Sequence, residues 1–478
     1  MSVATTIRAR PAAAVSGRRT GAALRPLILA VLWLGLHVAL GVAFKVQPAV
    51  AVAHAGIVTL VVFLAGLAGS LRYVVGVAAY AAACHVLWRM SGAPIPWNLG
   101  FYLVFVTFTL SALRRRWQPK AAAVLSFLPL LPSALLTLEA ASSLERAREQ
   151  IVFNLAGPAA IFATAWVLHG RQVRLDPWRP LWLALGPIVA SAGMASWYLS
   201  RQERLVFTTS SNFEASGGFG PNQVASQLSF GLLILVLYLL RPQGRKHVVL
   251  AGGLAAYLAT QTLLTFSRSG AAMAMGAAFV AGVFLLRNRR ARLALAGFGL
   301  VCYLLVAYVL VPGLNRFTGG AFTARYTDPS LTRRDVIARS DLELFVRNPL
   351  VGVGPGMAAE ARASMIGFRA AAHTEITRLL AEHGVLGLIS LFALVYLSWA
   401  VLRRARAGGG PAALSAAAGF LAWAWLYFAV NAFRTALPVL ALAAAFLFAR
   451  SGPSQGSARV RPACAGIGAR VRKGWPGA

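Results

Sequence analysis

Apolar stretches close to twenty residues long recur along almost the whole of this 478-residue chain, separated by short basic or turn-forming segments. A hydrocarbon core about 30 Å thick is crossed by roughly 20 residues of helix. Without water to satisfy the backbone, only helices or closed barrels can cross it. Runs of this length imply an all-α integral membrane protein. Fourteen windows qualify, near 26–44, 49–68, 71–89, 97–113, 120–139, 151–169, 181–199, 223–240, 247–264, 270–286, 292–311, 375–402, 412–430 and 435–449. If the last two form one re-entrant pair, the number falls, so the expectation is 12 to 14 transmembrane helices with even parity. Pro129, Pro132 and Pro187 should kink their segments, because proline lacks a backbone donor. Composition agrees: 12% of residues are charged, against about a quarter in soluble domains.

A formal net charge of +33 would suit a nucleic-acid binder, but the basic residues lie in small clusters between apolar runs, with no interleaved aromatic platform. Placed on the fourteen-span reading, 29 of the 46 basic residues and only one acid, Asp176, fall on the side of the N-terminus. That side carries +28 and the other +5. By the positive-inside rule both termini are cytoplasmic. Residues 1–25 read as a basic cytoplasmic tail rather than a cleavable signal, since 26–44 is long enough to remain as an anchor. Residues 26–311 carry spans one to eleven, 312–374 a long external loop, 375–449 the C-terminal spans, and 450–478 a second basic tail. Cys84 and Cys302 sit in apolar runs and Cys464 in the basic tail, so no disulfide framework is expected.

The chemistry should gather where external connections are longest or carry charge. Loop 312–374 holds an apolar set from Asp335 to Arg347 at helical spacing, which predicts an amphipathic helix near the interface. The turn Asn348-Pro349-Leu350-Val351-Gly352-Val353-Gly354-Pro355-Gly356 follows, its glycines permitting close backbone approach. It follows no strand and no lysine succeeds it, which argues against a nucleotide loop. A second external loop, 200–222, ends in Gly217-Gly218-Phe219-Gly220-Pro221-Asn222 and leads straight into a span. The third, Phe266-Ser267-Arg268-Ser269-Gly270, sets an arginine between two spans, which is costly unless it has a partner or ligand.

The combination of Ser267-Arg268-Ser269-Gly270, Arg334 ahead of the glycine turn, and His373 opening the segment Glu375 to Gly387 resembles the bacterial O-antigen ligase and polymerase superfamily. The resemblance covers mainly residues 200–400. Thr374 stands where many relatives have Asn, and Arg333 where many have Gly. The resemblance implies a glycosyltransferase of the bacterial inner membrane, active at the periplasmic face. It would move a glycan from undecaprenyl diphosphate to a sugar hydroxyl, with neither metal nor cofactor.

Such a donor leaves as a diphosphate, so fixed positive hydrogen-bond donors at the leaving oxygens matter more than a general acid. Arginine binds phosphate bidentately and stays charged, which assigns Arg268 and Arg334 to the diphosphate. Snorkelling is the plainer reading of Arg268, and solvation that of Arg334. His373 suits proton abstraction from the acceptor, titrating near neutrality, and a helix N-terminus there would favour its neutral form. Arg333, Arg339, Arg347 and Arg378 are secondary candidates, as are Glu375, Glu382 and Asn222. Glu375, Arg378 and Glu382 share one helix face and equally read as a mutual pairing; Asn222 equally reads as a turn residue, and His383 as structural. No histidine spacing suggests a metal site.

The acceptor is expected to be lipid A core if the enzyme is a ligase, or a second lipid-linked glycan if it is a polymerase. A transporter or lipid-linked glycan flippase is the rival class; charged candidates gathered on one face fit transfer chemistry better. The remaining expected partners are membrane lipids, and no nucleic acid.

Overall fold

The computed structural model describes residues 17–171, 175–241, 244–285, 289–328 and 333–449. Among them the secondary structure is helical. In chain order the helices are α1 Gly17–Val46, α2 Pro48–Ala68, α3 Leu71–Met90, α4 Leu99–Arg114, α5 Ala121–Leu125, α6 Ala134–Ala140, α7 Leu144–Leu168, α8 Trp178–Ser200, α9 Pro221–Leu239 and α10 Arg245–Leu264. They continue as α11 Arg268–Leu285, α12 Arg289–Leu305, α13 Val311–Phe317, α14 Ala321–Thr327, α15 Arg334–Arg347, α16 Ala358–Ile366, α17 Glu375–Arg404, α18 Gly410–Val430 and α19 Leu437–Phe448. Among the described residues twelve segments are long and apolar enough to cross a membrane, and two shorter apolar helices, α4 and α19, join them. The protein is an all-α integral membrane protein.

Two boundaries depart from expectation. Helix α1 starts at Gly17, inside the stretch read as tail, while residues 1–16 and 450–478 lie outside the described residues. The eleventh span does not end at 311: α12 passes through a π turn at Val306–Leu310 into α13 and reaches Phe317. The wider turn just before Pro312 accommodates that residue's missing donor. Of the prolines expected to kink, Pro129 and Pro132 break the fifth span into α5, a 3-10 turn at Leu128–Leu130 and α6, whereas α8 runs on through Pro187.

Lipid is as apolar as leucine, so helices associate through close packing of small residues rather than through a hydrophobic drive. A Cβ on Gly41 would stand 2.3 Å from Ala190 O, and one on Gly270 2.6 Å from the Ala225 side chain. These glycines bring α1 against α8 and α11 against α9. Large apolar side chains such as Leu32, Ile57, Leu60, Phe279 and Tyr308 remain outward-facing, as a lipid-solvated surface requires.

The connections fall into two groups. At one end, Arg115 donates to Gly69 O, Trp166 to Trp117 O and Arg171 to Gln118 O. At the other, Lys45 donates to Met90 O and Gly217 O, Arg89 to Trp97 O and Arg434 O, and Ser267 to Asn222. The second group carries the candidate residues.

Candidate functional site

Helix α11 begins at Arg268, directly after a strained residue. Phe266 is fully buried with φ of 56°, a left-handed conformation that costs a bulky residue about 1–3 kcal/mol. The turn aims its carbonyl at Arg325 Nε, 3.1 Å away. Ser267 Oγ donates to Asn222 Oδ1 at 2.7 Å and lies 2.9 Å from Ser269 Oγ. The two serines therefore fasten the start of α11 to the start of α9, and Arg268 projects from that junction to Asp328 O.

Arg334 is the first residue of α15 and half-buried. Burial, then the charges of Arg268 and Arg325, hold its guanidinium below the usual value. Arg325 is lowered likewise by burial and by Arg268, with Asp328 opposing. Three guanidinium groups thus share one small region with Asp328 as a partial offset.

His373 joins this region from the other side. It lies between two fixed points: Arg362 Nη2 donates to Ala370 O at 2.6 Å, and Thr374 caps α17 by accepting from Thr377 N–H at 3.0 Å. Arg362 also forms a buried ion pair with Asp341, which accepts from Thr377 Oγ1 at 2.8 Å. These bonds lock α15, α16 and α17 together. The pKa of His373 is lowered to about 4, first by burial, then by Arg334, Arg434 and Arg362. With a pKa near 4 the imidazole is neutral at pH 7.

Arg334 acts electrostatically on His373 and is acted on by Arg268, so it neighbours both. The secondary candidates divide. Arg333 is exposed, with φ of 60°, and its guanidinium lies 5.4 Å from the Phe368 ring centroid. Arg339 is exposed, and Arg347 pairs with Glu343 on the surface of α15. Asn222 spends its side-chain oxygen on Ser267 and so positions the Arg268 turn.

Arg378 is fully enclosed by its own helix and α7. It donates to Glu375 at 2.9 and 2.5 Å, to Glu382 at 2.5 Å and to Asn154 Oδ1 at 3.2 Å. Glu375 accepts from Phe433 N–H at 2.8 Å. The three residues are held as an internal ion cluster that orients neighbouring backbone. His383 is also structural, with Nδ1 at 2.5 Å from Ser133 Oγ.

The glycine turn packs on a break in α17, where Gly384 has φ of 59° and ψ of −138°. There Val385 N–H donates to Pro349 O at 2.7 Å, while Ala381 O and Glu382 O accept from Val353 and Gly354 N–H, each at 3.0 Å. A Cβ at Gly352 would fall 2.4 Å from the backbone of Glu382 and His383. The turn spends backbone donors on a membrane helix rather than offering them to a phosphate.

Sequence reasoning missed Arg325 and Arg434. Arg434 was detectable by the signal that marked Arg268, an arginine in a short connection between two apolar runs. Arg325 had no local signature, since its role comes from the carbonyl of Phe266, about sixty residues away in sequence.

A search of curated proteins returns no match. A family model described as O-antigen ligase matches residues 253–392, a segment that starts in α10, takes in Arg268, Arg334 and His373, and ends in α17. The match covers this segment alone, and it agrees with the resemblance to the O-antigen ligase and polymerase superfamily drawn from the sequence.

Proposed function

We propose that the protein is an O-antigen ligase-like glycosyltransferase that transfers a glycan from undecaprenyl diphosphate to a sugar hydroxyl at the periplasmic face of the bacterial inner membrane. The observation that carries this reading is the coupling of Arg334 to both Arg268 and His373, which sets cationic groups beside a neutral imidazole.

In the transfer, the acceptor oxygen forms a bond to the anomeric carbon while the bond from that carbon to the diphosphate oxygen breaks. The electron pair leaves on the undecaprenyl diphosphate. Arg268 and Arg334 stabilise that growing charge where water is scarce, and His373 takes the acceptor proton. An anion bound beside Arg334 offsets the positive charges that lower the imidazole pKa. Donor binding thereby makes His373 a stronger base when it is needed.

The test uses purified full-length protein with lipid-linked glycan and either lipid A core or a second lipid-linked glycan as acceptor. Product on lipid A core identifies a ligase, and a lengthened lipid-linked glycan identifies a polymerase. Arg268→Ala, Arg334→Ala and His373→Ala should each insert normally and lose transfer. Retention of transfer by all three sinks the reading.

A further inference from the structure

The short connection between α18 and α19, residues 431–436, is held by three helices. Phe433 N–H donates to Glu375 Oε2 of α17 at 2.8 Å. Arg434 N–H and Thr435 Oγ1 donate to Tyr427 Oη of α18 at 3.3 and 3.2 Å. From α3, His85 Nδ1 accepts from Ala436 N–H at 3.0 Å, and Arg89 Nη1 donates to Arg434 O at 2.5 Å. Five bonds from outside the connection thus fix the backbone on both sides of one arginine.

The side chain they position is unbonded. Among the described residues the Arg434 guanidinium makes no hydrogen bond or ion pair, and the residue is half-buried with its nitrogens still open to solvent. Other arginines at this end are spent. Arg89 donates to Trp97 O and to Gln223, Arg362 pairs with Asp341, and Arg378 pairs with Glu375 and Glu382. Glu375 is the acid whose charge reaches Arg434, but its two oxygens already accept from Arg378 and from Phe433 N–H. The positive charge of Arg434 is therefore not neutralised from within the protein, and a fixed arginine near the membrane is costly without a partner or ligand.

Its position gives that ligand a role. The bond from Phe433 to Glu375 ties the connection to the first residue of α17, two residues after His373. Arg434 is also one of the charges that lower the His373 pKa, together with Arg334. Two arginines from separate elements, the start of α15 and the α18–α19 connection, thus act on one imidazole. A planar, permanently charged fork with free N–H groups matches the oxygens of a phosphate.

We propose that Arg434 is a further substrate-binding residue, whose guanidinium holds a phosphate oxygen of a lipid-borne substrate beside His373. It rests on the transfer reading for the substrate, and the phosphate belongs either to the donor diphosphate or to the acceptor. The test places full-length protein in phosphatidylcholine nanodiscs, so that ordinary lipid phosphates are present in excess. Undecaprenyl diphosphate and, separately, lipid A core are titrated in, and affinity is followed by microscale thermophoresis.

Saturable binding of at least one probe is expected. Arg434→Gln should weaken it by about tenfold or more with thermal unfolding unchanged, and Arg434→Lys should recover part of the loss. A loss confined to undecaprenyl diphosphate assigns the residue to the donor, and one confined to lipid A core assigns it to the acceptor. Unaltered affinity of Arg434→Gln for both probes, or no saturable binding of either by the wild type, overturns the assignment. So does a weakening that only follows a fall in unfolding temperature. If Arg434→Gln keeps full affinity while Arg268→Ala, Arg334→Ala and His373→Ala lose transfer, this inference falls and the transfer reading stands. If Arg434→Gln loses affinity while those three keep transfer, the binding residue stands and the catalytic reading falls.

Discussion

Two arginine centres lie at the same end of the bundle and differ in what surrounds them. Arg378 is enclosed, with Glu375 and Glu382 both within 2.5 Å. Arg334 is half-buried, and its strongest charged neighbours are two more arginines, Arg268 and Arg325. The first centre is neutralised from within, so it can only hold structure. The second retains positive charge that an anionic ligand would offset. Arginine content alone does not mark a site; the local balance of charge does.

The largest expected effect tests the first centre. Arg378→Met strands two buried carboxylates, and losing one partner of a buried pair costs about 3–5 kcal/mol. Thermal unfolding in detergent should show a clear loss, with activity falling only as folded protein is lost. A stable Arg378→Met protein without activity would instead move Arg378 into the reaction.

Arg334→Ala should do the reverse, leaving unfolding nearly unchanged and reducing kcat by about 10²–10³, the usual cost of removing one charge-stabilising donor. Steady-state kinetics with lipid-linked glycan measures this. Arg334→Lys should recover part of the loss, since it restores charge but not the bidentate fork.

A pH profile sharpens the comparison further. His373 must be neutral to accept a proton, and its pKa in the protein is about 4. In the wild type, kcat/KM should therefore fall as pH drops through about 4 and stay level from there towards neutrality. Removing Arg334 removes a charge that lowers this pKa, so the residual activity of Arg334→Ala should decline at a higher pH. An acid limb at the same pH in both proteins would separate His373 from the cluster.

Thr374→Ala removes the cap of α17 and should cost about 1 kcal/mol in unfolding experiments. The smallest effect belongs to Arg333→Ala. Its guanidinium is exposed over Phe368, a contact worth about 0.5–1 kcal/mol at such sites, and both stability and transfer should stay close to wild type.

The sequence showed a good deal of this. Hydropathy located the apolar segments among the described residues, because a lipid-crossing segment needs length and composition, both of which are local. The Asp335 to Arg347 helix was visible from its spacing, and Arg268 from the cost of its position. The helical spacing of Glu375, Arg378 and Glu382 was equally plain, yet whether they face a ligand or one another depends on Asn154 and Phe433 from other helices. The reason for the neutral imidazole was hidden too, since Arg362 and Arg434 approach His373 only through the fold. The end of the eleventh span was missed because a π turn at Val306–Leu310 cannot be read from apolar periodicity.

The exchange of backbone bonds at Gly384 fixes one end of the long loop. If the Pro349–Gly354 strap lifted away, Val385 N–H and the carbonyls of Ala381 and Glu382 would lose their partners inside an apolar helix, each at a cost of several kcal/mol where no water can replace them. The strap is thus bonded into the bundle although it crosses nothing. Helix α15 ends just before it, so the distance from Arg334 to the helix that follows His373 is set by covalent chain and lattice-like bonding rather than by loop dynamics.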